Sequence, residues 1–315
     1  MSEQATVENE NTIEFDRATR DPMAAIEALG LNDKVIELEE RGYVVVEPER
    51  VVSPEFVERV RDAVLEIALK RTGVAHSIDS NGDIGHYDSQ PQQPGQFLLY
   101  YLLFEDPVFE EWIMNPTLQA LISYLMRDQG RLSSLASFVK SKDGNYGETL
   151  GLHADAPPGT TGALSAEHDD VCNAALVLTD YTREDGAIAM VPGSHRLCRT
   201  PKPGEGVSEA VPVEAPEGSL IFWKGNTWHG AYPKLTDGLR LNVTSYVCHQ
   251  RIKTQENYQR KVTREMLERN TPAFARFLGA GDAYGWGVEG PQFEAMAKLT
   301  ESSSVVPKEI LELHP

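Results

Sequence analysis

Four residues of this chain have the types and spacing to build a metal site beside an anchored organic acid: His153, Asp155, His229 and Arg240. The first two stand as His153-Ala154-Asp155 within GLHADAPPG. In an extended strand residues i and i+2 point to one face, so His153 and Asp155 can hold one ion while Ala154 points away. A histidine far along the chain, His229, can close the set. Two imidazoles and one carboxylate on one face of an octahedron leave three adjacent positions open, the arrangement that non-haem Fe(II) oxygenases use. Those positions would take a bidentate 2-oxo acid and dioxygen. Arg240 supplies the other half, because a guanidinium facing a cavity needs a carboxylate or phosphate and its fork matches a carboxylate bidentately. The distal carboxylate of 2-oxoglutarate would satisfy it.

Each of these residues also has a plainer reading. His-x-Asp recurs by chance, and either residue alone is more often a hydrogen-bonded polar group than a ligand. A second copy, His168-Asp169-Asp170, lies in the charged stretch SAEHDDVC, which reads as a loop tip. His153 is therefore preferred, with His168 kept as its rival. His229, in WKGNTWHGAYP, reads by itself as a buried core histidine. Arg240 changes that balance: Asp237-Gly238 is a strong turn signal, so a hairpin is predicted that sets Arg240 beside His229 on an adjacent strand.

The elements that must position these residues fall into two regions. In the first, PEFVERVRDAVLEIALK carries Val57, Val60, Val64, Ile67 and Ala68 at helical spacing after Ser53-Pro54, and PTLQALISYLMRD (116–128) reads as a second helix. From about Leu132 to Val247 the pattern becomes short strands divided by turn residues, at 132–140, 173–181, 187–191, 219–223, 227–232 and 239–247, which suits an antiparallel sandwich or barrel. The last strand carries Leu239, Leu241, Val243 and Val247 on one face and Arg240, Asn242, Thr244 and Tyr246 on the other. That polar face is either an outer surface or the wall of a polar cavity. Residues 254–270 return to helix. Three loop segments, 77–95, 140–148 and 278–290, are rich in glycine and polar residues and are candidates for a lid.

Composition narrows the partners. With 29 Lys plus Arg against 48 Asp plus Glu, the net charge of −19 repels phosphate backbones and anionic membranes, so neither nucleic acid nor a membrane is an expected partner. Cys172, Cys198 and Cys248 form no paired framework, which suits a reducing cytoplasm. The longest apolar run, Phe97 to Phe104, is short of the roughly 20 residues of a spanning helix. Residues 1–22 read as an acidic tail, and 23–315 as one domain with its β core at about 132–250. A homodimer is left open.

The segment EDGAIAMVPGSHR (184–196), with HAD before it and WHGAYPKLTDGLR (228–240) after it, resembles the phytanoyl-CoA dioxygenase family of Fe(II)/2-oxoglutarate oxygenases. The likeness extends upstream to LLFEDPVFEEWIMNPTLQALISYLM and covers roughly residues 35–250. It implies a double-stranded β-helix, a cupin-like jelly roll with helices outside. It also implies iron ligands at His153, Asp155 and His229, with Arg240 as the co-substrate clamp. Fe(II), 2-oxoglutarate and O2 are then the cofactor set, and the reaction is oxidation of a small organic molecule coupled to decarboxylation of 2-oxoglutarate. The small hydroxyl residues that often assist the clamp are absent, since Ala231 and Ile188 stand in their positions; Asn242 and Thr244, on the Arg240 face, are the replacements to test. His195 of the PGSH turn reads as structural, and Tyr100, Tyr101, Trp223 and Trp228 are candidates to stack a substrate. Two alternatives stand beside this expectation: an acyl-CoA 2-hydroxylase and a non-catalytic cupin-like binding protein.

Overall fold

The structure is a computed structural model that describes residues 21–82, 84–85, 95–142, 145–155, 169–280, 286–287, 290–291, 306 and 308–312. His168 lies outside the described residues, as do residues 1–20 of the expected acidic tail and most of the 278–290 stretch. Six strands build the larger sheet: β1 (Tyr43–Val46), β2 (Gln96–Leu99), β3 (Gly130–Lys140), β4 (Val171–Val177), β7 (Leu220–Lys224) and β9 (Arg240–His249). Three build the smaller one: β5 (Ile188–Met190), β6 (Val211–Val213) and β8 (His229–Ala231). The larger sheet runs β1-β7-β4-β9-β3-β2 and the smaller β6-β5-β8, with antiparallel neighbours throughout. The two sheets make the jelly roll, and helices cover the outer face of the larger one.

Alternation along the strands decides which side chains go where. In β9, Leu241, Val243 and Val247 join the core under the helices, while Arg240, Asn242, Thr244 and Tyr246 line an internal cavity. The polar face is thus a cavity wall, not a wet surface. In β3 a bulge between Leu132 and Ser134 shifts the alternation by one residue, so Leu132 and Leu135 share the outer core while Ser134, Ala136 and Phe138 face inward. On the outside, the helix Pro54–Thr72 starts with the Ser53 hydroxyl accepting the Phe56 N–H and stops at left-handed Gly73. It buries Val57, Val60, Val64 and Ile67. The helix Val108–Ile113 presents Trp112, fully buried, whose Nε1 donates to Ser245 Oγ on β9 at 3.0 Å. One end of the space between the sheets is filled by Tyr43, Ala175, Val177, Tyr181, Met190, Val213 and Ile221. The other end is open.

Three expectations need correction. The sheet is not confined to 132–250, because β1 and β2 pair onto β7 and β3 from the N-terminal region. The 254–270 stretch is not one helix: Val262 is extended and Thr263 caps a new helix at Arg264–Arg269, separate from Tyr258–Lys261. Nor do His229 and Arg240 share a hairpin. β8 pairs with β5, β9 pairs with β3 and β4, and the intervening segment crosses from one sheet to the other. Lys234 holds this crossing by its 3.3 Å ion pair with Asp185, and the Leu239 N–H donates to the Ile78 carbonyl at 2.7 Å. His229 and Arg240 therefore line the same cavity from opposite sheets.

Candidate active site

The open end of the jelly roll holds a cavity of about 440 Å³. His153 enters it from a single bridge on the free edge of β8, exchanging backbone hydrogen bonds with His229 at 2.9 and 2.8 Å. The following Asp155 N–H donates to the Gly225 carbonyl at 2.8 Å, which keeps the segment extended. His153 and Asp155 consequently face the cavity, and Ala154 packs the other way with Val191 and Trp228. Gly230 is required where this edge forms, since a Cβ there would sit 2.1 Å from the Leu150 carbonyl oxygen.

One ligand atom from each of His153, Asp155 and His229 lies within 4.8 Å of the others. His153 Nε2 is 3.7 Å from Asp155 Oδ1 and His229 Nε2 is 3.4 Å from Asp155 Oδ2. Ligands at right angles on one ion are roughly 3 Å apart for bonds near 2.1 Å, so a small contraction about a metal closes the set. The protonation pattern suits this. His153 Nδ1 contacts the Gly151 carbonyl at 2.8 Å and His229 Nδ1 contacts the Thr227 carbonyl at 2.9 Å. A carbonyl can only accept, so both Nδ1 atoms carry the proton and both Nε2 lone pairs are left for a metal. Burial, and after it the proximity of His153, lowers the His229 pKa to about 4, so this imidazole is neutral near pH 7 as a ligand must be. Asp155 is held by Asn173, whose Nδ2 donates to Oδ2 at 2.6 Å.

Arg240 is 3% exposed, and its Nη1 donates to the Gly186 carbonyl at 2.8 Å. Its guanidinium lies 4.9 Å from the centre of the Tyr181 ring. Buried Nε has no partner among the described residues. Stacking and one carbonyl fix the plane of the group and leave donor capacity for an incoming carboxylate. Asn242 and Thr244 line the cavity as well, with Asn242 Oδ1 accepting the Phe138 N–H at 3.1 Å. Ile188 and Ala231, at the positions that lack a hydroxyl, also face it.

Of the four aromatic candidates, Tyr100 and Trp223 line the cavity. Trp228 instead donates from Nε1 to the Arg199 carbonyl at 2.7 Å within the core, and Tyr101 packs its ring with Phe104 and Tyr258. His195 packs against Gly42 and Glu39 outside the cavity, as a structural residue should. Sequence reasoning missed Asn173, Tyr146, Gln96 and Gln255 as wall residues. A signal existed only for Asn173, the one amide among the inward positions of an otherwise apolar strand.

A jelly roll whose cavity gathers two histidines, a carboxylate and a buried arginine belongs to the class of non-haem metal-dependent oxygenases. Residues 38–242 match the model of the phytanoyl-CoA dioxygenase (PhyH) family, and the chain belongs to that family. It is an Fe(II)- and 2-oxoglutarate-dependent dioxygenase. Among curated relatives, the dioxygenase af480 of Aspergillus fumigatus is 25% identical over 255 residues, covering 79% of this chain and 77% of its own. The dioxygenase aneA of Aspergillus aculeatus is 25% identical over 183 residues, 56% and 61% of the two chains. Among solved structures, HygX from Streptomyces hygroscopicus with nickel and 2-oxoglutarate bound superposes with a TM-score of 0.53 at 16% identity, covering 71% of this chain and 88% of that one. The 2-oxoglutarate-dependent carbocyclase SnoK from nogalamycin biosynthesis gives 0.50 at 20% identity, covering 69% and 83%. At such identities these structures speak for the fold alone.

Proposed function

We propose that His153, Asp155 and His229 hold the iron, that Arg240 receives the distal carboxylate of 2-oxoglutarate, and that the chain oxidises an uncharged, largely apolar small molecule. The observation that carries the metal assignment is the convergence of two free Nε2 atoms and one carboxylate within 4.8 Å. When bound there, Fe(II) with 2-oxoglutarate and O2 supplies oxidative decarboxylation to succinate and CO2 coupled to oxidation of a C–H bond. The chain contributes position. Arg240 would hold the co-substrate at the closed end, where Asn242 and Thr244 offer further polar contacts and Ile188 and Ala231 an apolar wall.

The substrate class follows from the rest of the wall. Besides the three ligands and Arg240, the described lining is Phe97, Leu98, Tyr100, Ala136, Phe138, Trp223 and other uncharged residues. Polar character there comes from uncharged groups, the amides of Asn173, Asn242, Gln96 and Gln255 and the hydroxyls of Ser134, Thr244, Tyr100, Tyr146 and Tyr246. A polyanionic acyl-CoA would find no cation on this wall to meet its phosphates, which weighs against the acyl-CoA alternative. Family membership weighs against a non-catalytic binding protein. Among the described residues no helix is long and apolar enough to cross a membrane. All three cysteines are free, which supports a reducing compartment such as the cytoplasm.

Alanine variants test the assignment. His153→Ala, Asp155→Ala and His229→Ala are each expected to lose Fe(II) affinity in an anaerobic titration while keeping the far-ultraviolet circular dichroism of the parent. His168→Ala should keep it. Iron lost from the His168 variant and retained by the His153 variant would move the assignment to the rival pair.

A further inference from the structure

Lys140 closes β3 opposite Arg240 in the strand register, on the same inward side as Ala136 and Phe138. It is fully buried. Its Nζ donates to the Tyr232 carbonyl at 2.6 Å and lies 5.4 Å from the centre of the Tyr146 ring, which lines the cavity. No carboxylate pairs with it among the described residues. Lys234, close by, differs in having a counter-ion, since its Nζ meets Asp185 Oδ1 at 3.3 Å. The fold thus compensates one buried ammonium and leaves its neighbour without a negative partner, an arrangement that is costly while that lysine is charged.

Lys140 and Arg240 also close on one glycine. Arg240 donates to the Gly186 carbonyl, and a Cβ on Gly186 would lie 3.2 Å from Lys140 Nζ. An acid seated on Arg240 therefore arrives beside Lys140. We propose that Lys140 is the second cation of the carboxylate-binding end, accepting a proton from solution as 2-oxoglutarate seats and pairing with its distal carboxylate. This rests on the 2-oxoglutarate reading of the cavity and fills the place left by the missing hydroxyl residues at Ile188 and Ala231.

The electrostatics agree in sign. Burial first, then the charges of Arg240 and Lys234, lowers Lys140 to a pKa of about 6, so it is neutral in the ligand-free protein near pH 7.5. A carboxylate alongside raises that value, so binding takes up a proton at pH values above about 6 and takes up none well below it, where the lysine is already charged. The other groups near Lys140 are Arg240 on β9, Lys234 on the crossing segment with its partner Asp185 just before β5, and the ring of Tyr146; Tyr181 stacks on Arg240, and Tyr232 gives Lys140 its carbonyl while its hydroxyl donates to the Ala210 carbonyl. Burial raises Tyr181 and Tyr232, so neither is a source of protons in this range. Asp185, despite the opposing effect of its burial, is held low by hydrogen bonds from Thr182 and Thr236 and stays ionised.

Calorimetry on the Fe(II)-loaded protein under anaerobic conditions tests this, with 2-oxoglutarate titrated at about pH 7.5 in buffers of different ionisation enthalpy. The expected result is uptake of close to one proton, falling as the pH drops through about 6 and absent well below it. The control ligand is 2-oxobutanoate, which offers the metal the same chelating end but has no distal carboxylate, and it should take up no proton. Lys140→Met should weaken 2-oxoglutarate by about tenfold or more, abolish the uptake and leave 2-oxobutanoate unchanged. An equal loss for both acids marks a structural lysine and overturns the proposal. So does the absence of proton uptake in the parent, a result that needs no folded variant. A parent that binds neither acid brings down the 2-oxoglutarate reading itself, whereas binding of both without uptake removes Lys140 alone.

Discussion

Asp155 is oriented by the Asn173 amide, which donates to Oδ2 at 2.6 Å, while His229 Nε2 stands 3.4 Å from the same oxygen with its lone pair kept for a metal. Partners of this kind fix the carboxylate before a metal arrives, and their loss typically costs about 10- to 100-fold in metal affinity. Asn173→Ala should show a loss of that order in anaerobic Fe(II) titration with the fold intact; unchanged affinity would show that Asp155 needs no such support. Arg240 makes a second test. Its plane is set by Tyr181 and by the Gly186 carbonyl, so Arg240→Lys keeps the charge but loses the fork. The 2-oxoglutarate concentration for half-saturation should rise by about tenfold or more, and an unaltered value would remove Arg240 as the clamp. The site residues with distinctive chemistry were legible in the sequence because histidine, aspartate and arginine announce what they can do. Asn173 left only the faint signal of an amide in an apolar strand, and the placing of Lys140 left none, because it comes from a register partner far along the chain, Arg240.

Among the elements, β8 and the His153 edge form the tightest backbone approach at the site. Gly230→Ala would drive a methyl group into the Leu150 carbonyl and part the two histidine-bearing segments. Overpacking of this kind costs about 1–3 kcal/mol, and here iron affinity should fall with stability in chemical denaturation and metal titration; a variant as stable and as metal-competent as the parent would contradict the geometry. Trp112→Ala acts on the helical layer instead. It removes a fully buried indole and its hydrogen bond to Ser245, for an expected loss of about 3–5 kcal/mol in denaturant unfolding. Long helices and the inner strands could be read from periodicity and caps, as the close agreement at Pro54–Thr72 and Gly130–Lys140 shows. β1 and β2 were hidden. Each is a four-residue run with neither alternation nor length to separate strand from helix, and each owes its state to the sheet edge it joins. The Asp237-Gly238 turn was real, with Gly238 at φ +83°, but a turn signal does not say to which sheet the next strand returns.

At the level of the whole molecule, the jelly roll supplies one rigid frame in which a charged closed end and an uncharged wall meet at the candidate metal site. The net charge of −19 and the lack of a cation on the described wall away from the Arg240 end point the same way on substrates. In oxygen-electrode assays with Fe(II) and 2-oxoglutarate, neutral lipophilic compounds should stimulate uptake and coenzyme A thioesters should not; preference for a thioester would overturn the substrate class while leaving the metal site untouched. The central claim is tested most directly by following conversion of isotopically labelled 2-oxoglutarate to succinate under air with added Fe(II). The parent protein should form succinate slowly alone and faster with an accepted substrate, and His229→Ala should form none above the protein-free background. Succinate formation by His229→Ala at the rate of the parent, or none by the iron-loaded parent with any substrate, would contradict the account.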